Sequence, residues 1–483
     1  MTDIEQAFNI STDEIKKIIA DFHSQMVSGL SGKKSSLKMI PAYVDKPTGK
    51  EKGGFIALDL GGTNLRISQI ELKGKGRVVK RGERKFILEK KYITNTKDEL
   101  FDFIAGCIKR FSEEEKLDLD KQWGVGFTFS FPVKQTGIAS GVLLRWTKGF
   151  SARGVKGKDI VNLLNQALLK KDLGNLKIAA LVNDTVGTLA ARAYKERNCD
   201  VGVILGTGTN ACYQERLSNI LKWIGPKSLR ARMIVNIEWG GFNKLPATVY
   251  DRQLDQLSLN PGEQVLEKMV SGMYLGELVR LILKDFVKRK MLFKQNRPAI
   301  FNKAGSFKTE YMSRIEDDCS ADLSGAGVLL KDLGASCSAL SERKLIKRIC
   351  QLVSNRGARI SAAVLAAVIM KIDPNLSQKH TIAIDGSLYE KHPGFSRNIR
   401  AALRQVFAKK ASRVRMVLTK DGSGIGAAII AALAKPRKYD FTPRIKLVDS
   451  VSFSDKIYAR EERLKDFKGK IKLPINLDEL RKR

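Results

Sequence analysis

The sequence predicts an α/β protein made of two domains that face each other across a cleft. Three observations carry this. The chain has 483 residues, more than a single compact core ordinarily organises. An apolar strand that runs into a Gly/Thr/Asn turn and out again occurs once in each half. Between these units, strand-like runs alternate with helical periodicity, as layered α/β architectures require.

From the N-terminus, Ile15, Ile18, Ile19 and Phe22 recur at helical spacing, which predicts an amphipathic helix with Thr12 as its cap and Gly29 near its end. A loop with Pro41 and Pro47 leads to the first strand, Phe55 to Leu60. Its residues are nearly all apolar, as in a strand covered on both faces. The chain turns at Gly61-Gly62-Thr63-Asn64 and resumes from Leu65 to Leu72. The second unit is Val201 to Leu205, the turn Gly206-Thr207-Gly208-Thr209-Asn210, then Ala211 to Gln214. Thr381 to Ile384 followed by Asp385-Gly386-Ser387 reads as a weaker third copy. An apolar helix is expected from Gly426 to Ala434, and the run Ile360 to Met370 reads as a buried helix, too short to cross a bilayer.

Composition narrows the function classes. Hydrophobic residues make up 43% and aromatics 7%, ordinary for a soluble globular protein. Eighty-six basic against 51 acidic residues leave a net charge of +35. Such a charge attracts polyanions, but the lysines are spread along the chain with no nucleic-acid motif beside them. A solvated basic surface is therefore expected rather than nucleic-acid binding. Six scattered cysteines without a CxxC pair, and only three histidines, argue against zinc, disulfide and Ser-His-Asp chemistry. The N-terminus has no apolar signal core, and the expected location is the cytoplasm.

The chemistry gathers at strand ends. No GxxxxGK[ST] loop occurs, which excludes the P-loop solution to phosphate binding. Tight Gly/Thr turns offer another, because small residues let backbone N–H groups converge on phosphate oxygens. Transfer of a phosphoryl group also needs a base and magnesium. Asp59 ends the first strand, in reach of a magnesium-bound water. Asp184 follows the apolar run Ala179 to Val182. By position alone it is equally a catalytic carboxylate or a helix cap.

The segments LDLGGTNLR (58–66), GFTFSFPV (126–133), RWTKGF (145–150), LVNDTVGTL (181–189) and GTGTNACY (206–213) resemble successive hexokinase motifs. So do NIEWGGF (236–242), NPGEQVLEKMVSGMYLGE (260–277), IDGSLY (384–389) and DGSGIGAA (421–428), and all nine stand in the family's order. The resemblance implies a two-domain actin-like ATPase (ribonuclease H-like) fold that closes on sugar. It implies ATP-dependent phosphorylation of the 6-hydroxyl of glucose or a related hexose, with Mg2+, by a monomer or homodimer of one family unit.

Residue by residue, the resemblance makes Asp184 the general base, with Ser130, Thr147, Lys148, Asn183, Asn210, Glu238, Gln264 and Glu267 around the sugar. Carboxylates and amides suit this work, since each sugar hydroxyl both donates and accepts. For the nucleotide it implies Asp59, Gly61, Gly62, Thr63 and Asn64 at one phosphate turn and Thr207 at the other. Arg66 would steady the transferring phosphate, and Lys148 would stand among the catalytic groups. Gly386 and Ser387 would lie on the adenosine side, with Gly272, Met273, Thr309 and Ser313 nearby. The implied small domain spans about 55–182, joined by a helix at about 425–435. The large domain takes residues 1–54 and 183–424. A basic extension, 436–483, and the basic connection from Tyr213 to Asn236 depart from the family pattern. The alternative function is a non-catalytic hexokinase-like sugar sensor, which a lost base or a broken phosphate turn would favour; both features are present.

Overall fold

The computed structural model describes residues 2–147, 149–225, 231–294, 297–335 and 339–434. Lys148, Lys227, Arg230, Cys337 and the 436–483 extension lie outside the described residues.

Two sheets share one topology. The first contains β1 (Lys52–Leu60), β2 (Asn64–Gly74), β3 (Arg77–Ile87), β4 (Trp123–Phe129) and β5 (Leu176–Val182), in the order β3-β2-β1-β4-β5. The second contains β6 (Cys199–Leu205), β7 (Thr209–Arg216), β8 (Arg232–Asn236), β9 (His380–Asp385) and β10 (Val414–Leu418), in the order β8-β7-β6-β9-β10. In each, the first three strands run antiparallel and the last two run parallel to the first. A two-residue strand, Ile40–Pro41, extends the second sheet beyond β8.

The helices divide accordingly. α1 (Thr12–Leu30) and the long α2 (Leu340–Ile372) pack together on the second sheet, burying Ile15, Ile18, Phe22, Ile360 and Val364 with Val201 and Val203. The α1 cap is Ser11 rather than Thr12: its hydroxyl accepts from Glu14 N while the Glu14 carboxylate accepts from Ser11 N. This reciprocal pair satisfies two helix-end donors at once. Thr12 is the first helical residue, and the helix runs past Gly29 to Leu30. α2 is the one described helix long and apolar enough to cross a membrane, yet most of its apolar stretch is buried in the large core.

The expected third strand-turn-strand copy is absent. After Asp385, Gly386 takes φ +128° and opens the short helix Ser387–Lys391. Leu205 O would lie 2.4 Å from any Cβ at Gly386, so this backbone is wedged against the β6 turn, where only glycine fits.

Two further helices join the halves. α3 (Asp184–Lys195) and α4 (Gly422–Leu433) pack face to face. Their shared core takes Phe55 and Ala57 from the first sheet and Cys199 and Ala383 from the second. Contact is close: a Cβ on Gly426 would stand 1.9 Å from Gly187 O, and one on Gly126 2.0 Å from Ala427 O. Glycine at these crossings brings backbone against backbone.

Candidate active site

The parallel strands deliver their C-terminal ends to one edge, where α/β sheets ordinarily bind ligands. β1 ends with Asp59-Leu60, β4 is followed by Ser130, and β5 by Asn183 and Asp184. Asn183 is the cap of α3: its Oδ1 accepts from Thr185 N at 3.0 Å and from Thr185 Oγ1 at 2.6 Å. The cap is therefore supplied by the neighbour, and Asp184 stands at the first helical position, half-buried, with Oδ1 accepting from Thr185 N at 2.8 Å.

On the second sheet a polar net forms. Asn210 Nδ2 donates to Glu238 Oε1 and to Asn236 Oδ1, both at 2.9 Å, and Asn236 Nδ2 donates to Glu238 Oε1 at 2.8 Å. Glu267 Oε2 accepts from Thr209 N at 3.0 Å. Gln264 joins through Gly240, where a Cβ would meet Gln264 Oε1 at 2.5 Å and the Glu267 Cβ at 3.3 Å. Glu238 and Gln264 both hold the left-handed backbone region, φ 57° and 54°, a conformation that costs a non-glycine residue free energy and gathers at functional sites. Buried Trp239 donates from Nε1 to Thr209 Oγ1 at 2.9 Å, fixing the turn beneath.

Between the sheets lies a cavity of about 40 Å³. The first sheet's side contributes Phe129 and Phe131, the second sheet's side Asn236 and Glu238, with Asn183 at the junction. Thr147 is half-buried in the loop that follows the Val133–Gly137/Ser140–Leu143 hairpin, and its carbonyl accepts from Phe150 N at 3.1 Å. Arg145 of the same loop is ion-paired with Glu263, next to Gln264. This contact reaches from one domain to the other.

A second cavity, of about 680 Å³, has a volume usual for small-molecule sites. Thr207, Gly272, Met273, Thr309, Ser313 and Ser387 all line it. Gly272 N donates to Gly206 O at 2.8 Å and Met273 N to Thr207 O at 3.1 Å, which docks this segment on the β6–β7 turn. Gly276 N donates to Thr309 Oγ1 and Ser313 Oγ to Thr309 O. Gly386 stands against the same turn.

The β1–β2 turn lies on the other domain. Gly61 N donates to Asn64 O at 2.9 Å, Asn64 Nδ2 donates to Thr63 Oγ1, and Thr63 is exposed. Asp59 Oδ2 accepts from Ser423 Oγ at 2.9 Å, and Arg66 Nη1 contacts Asp421 Oδ1 at 2.6 Å.

Sequence reasoning missed a group of residues here. Asn236 sits in the quoted NIEWGGF segment and Asp421 and Ser423 in DGSGIGAA, so position in a motif was the available signal. Lys38, which lines the smaller cavity, carried none. Asp385 is another. Burial pushes its carboxyl up to about 6, and the neighbouring Asp421 and Asp184 carboxylates add to the rise against the pull of the Gly386 and Gly422 N–H groups.

Comparison with known proteins bears on this arrangement. Hexokinase family profiles match residues 1–194 and 200–433. The chain is 42% identical over 449 residues to "Hexokinase-2" of Oryza sativa subsp. japonica, covering 89% of this chain and 90% of that one. It is 43% identical over 424 residues to "Hexokinase-1" of Spinacia oleracea, covering 84% and 85%. Among solved structures, the Schistosoma mansoni hexokinase complexed with glucose superposes with a TM-score of 0.81 at 38% identity, covering 89% of this chain and 97% of that one. With two matching sheets of actin-like topology and both family profiles spanning the described chain, this protein belongs to the hexokinase family.

Proposed function

We propose that the chain moves the γ-phosphoryl group of Mg–ATP onto the 6-hydroxyl of glucose or a related hexose, with Asp184 as general base. One observation carries this reading: a single hairpin turn serves both cavities. Thr207 lines the nucleotide-sized cavity, while Thr209 and Asn210, two and three residues on, hold Glu267 and Glu238 of the polar net. A sugar read by that net and a triphosphate lying over that turn would meet beside Asp184.

In the proposed step the Asp184 carboxylate takes the proton of the 6-hydroxyl as its oxygen attacks the γ-phosphorus, and ADP leaves. Asn210, Glu238, Gln264 and Glu267 orient the ring from the large domain, with Asn183, Ser130 and Thr147 opposite. Hydrogen bonds of this kind discriminate against a sugar lacking one hydroxyl, since a buried partner is then left unpaired. Arg66 offers a fixed cation where charge spreads over the phosphoryl oxygens. Lys148 keeps the catalytic role that the family resemblance implies.

Magnesium fits the donors present. Among the described residues no cluster of three or more metal-ligating side chains occurs, and Asp59, whose Oδ2 accepts from Ser423 Oγ, is the carboxylate that precedes the phosphate turn. That suits Mg2+, which keeps waters and binds largely through substrate phosphates. Asp59 would hold it through such a water, and the ion would neutralise phosphate charge.

The test is ADP release from Mg–ATP with a panel of hexoses and a no-sugar control. Sugar-dependent release is expected, and its ranking names the preferred hexose. Asp184→Ala should lower turnover by roughly 10²–10⁴-fold, the usual loss with a general base, while sugar binding survives in weakened form. ATP-binding protein without sugar-dependent release would leave a non-catalytic sugar sensor; near-normal turnover in Asp184→Ala would overturn the mechanism.

A further inference from the structure

The N-terminus of α4 is where the two halves are tied together. Ser423 reaches Asp59 through its hydroxyl and Thr128 through its carbonyl, which accepts from Thr128 Oγ1 at 3.1 Å. Asp421, the residue before the helix, has φ +55° and is half-exposed. Its two carboxylate oxygens face different cations of the first sheet: Oδ1 takes Arg66 Nη1 at 2.6 Å and Oδ2 takes Lys80 Nζ at 2.9 Å. Lys80 also reaches Glu83 at 2.8 Å. Burial alone would raise the Asp421 carboxyl, but Lys80 and Arg66 outweigh it, and it is held below the usual carboxylate range. The carboxylate is therefore anionic at neutral pH.

Arg66 follows the β1–β2 turn by two residues, and its side chain is one-third exposed. Asp421 engages only Nη1, and among the described residues the other guanidinium nitrogens have no side-chain partner. A guanidinium pinned at one corner keeps its remaining N–H groups in a fixed direction, as bidentate phosphate recognition requires. Without the pin, the long side chain would sample several rotamers beside a turn whose Thr63 is exposed. Asp421 is also carried by the helix that bridges the domains, so the pin holds Arg66 relative to both.

We infer that Asp421 is a positioning residue for phosphoryl transfer, acting through Arg66, whose guanidinium it orients toward the transferring phosphate. The inference rests on the reading of Arg66 as a phosphate contact. It assigns Asp421 no contact with substrate. Its effect belongs to the step in which charge spreads over the phosphoryl oxygens, so it falls on kcat and leaves hexose binding alone.

The test is a double-mutant cycle in the full chain, with kcat and both KM values measured for wild type, Asp421→Asn, Arg66→Ala and the double variant. Asp421→Asn should lower kcat about tenfold, the scale of a lost orientation, with the hexose KM unchanged. In the Arg66→Ala background the same change should cost less than about twofold, because there is no guanidinium left to orient. Asp421→Glu, which keeps the charge, should recover most of the lost kcat. Equal losses in both backgrounds would overturn the inference, since Asp421 would then act without Arg66; so would wild-type kcat in Asp421→Asn. Near-normal turnover in Arg66→Ala would be a different result: it would overturn the phosphate reading of Arg66, and the inference with it. A merely structural role would lower the yield or stability of Asp421→Asn without this dependence on Arg66.

Discussion

Adding one methyl group at Gly426 should destabilise this protein, although alanine is the better helix former. Gly426 lies in the interior of α4, and an ideal Cβ there would stand 1.9 Å from Gly187 O and 2.4 Å from Gly187 Cα on α3. Ordinary contact begins near 3.4 Å, so the two helix backbones would have to part by about 1.5 Å, against overpacking costs of typically ~1–3 kcal/mol. They have little room to do so. α3 is pressed on the second sheet at Gly202, whose Cβ would meet Thr185 O at 2.4 Å, and α4 on the first sheet at Gly126. The intrinsic gain of alanine over glycine in a helix is only ~1 kcal/mol. Gly424 supplies the control two residues earlier in the same helix, because a Cβ there meets nothing within 4 Å. Gly424→Ala therefore keeps the propensity gain without the clash. We expect Gly424→Ala to be neutral or stabilising and Gly426→Ala to lose ~1–2 kcal/mol, read as opposite shifts of the urea midpoint. The comparison rests on midpoints because a two-domain chain does not guarantee two-state unfolding. A Gly426→Ala midpoint equal to or above that of Gly424→Ala would refute the backbone contact between the helices.

Other expectations are independent of this one. His380 is buried between Asp200 and Asp373, with Nδ1 2.7 Å from Asp200 Oδ2 and Nε2 3.2 Å from Asp373 Oδ2. Burial alone would lower its pKa, but the two carboxylates prevail and hold it above the ordinary 6.5. A histidine raised in the folded state stabilises fully below its unfolded pKa, and the contribution is lost as pH rises through the folded value. The stability difference between wild type and His380→Gln should thus be largest near pH 6 and shrink as pH rises above it; a difference that grew with pH would reverse the assignment. Across the cleft mouth, Arg145→Glu should raise the hexose KM by up to about fivefold, the range of an exposed pair. The swap Arg145→Glu with Glu263→Arg should restore it, and a swap no better than the single change would show that the pair does not matter to sugar capture.

Which features could be read from sequence follows from their physics. The strand-turn-strand units were legible because strands buried on both faces are almost wholly apolar and their turns need small residues, as at Leu58 to Asn64 and Val203 to Asn210. The third unit was misread for want of a local signal: His380 to Asp385 is buried like the other strands, and the close approach of Gly386 to Leu205, where a helix follows instead of a hairpin, joins residues far apart in the chain. The α1 cap was misplaced by one residue because Ser11 and Thr12 are both competent acceptors, and the Glu14 side chain decides between them. In the site, most of the residues that gather lie in quoted motifs, Lys38 being an exception, whereas the contacts that Asp385 and Asp421 make run to partners far along the chain. Arg66 and Asp421 are 355 positions apart, and no periodicity relates them.

The shared topology also makes a difference between the two halves visible. β1 and β6 occupy the same place in their sheets, and each runs into a Gly/Thr/Asn turn, yet the turns are committed differently. At the second, Thr209 is consumed structurally: its hydroxyl donates to Ile204 O and accepts from Trp239, and its N–H is held by Glu267. That turn is a finished platform, with the polar net on one flank and the larger cavity on the other. At the first turn, Thr63 is exposed and the adjoining groups, Asp59 and Arg66, each bond to the N-terminal end of α4. The second turn is thus braced within its own domain, whereas the groups beside the first turn are bonded to a helix shared by both halves. If catalysis needs both turns on one triphosphate, the packing of α4 against α3 fixes the distance between them. A substitution at that crossing, one helical turn from Asp184, would then lower kcat as well as stability.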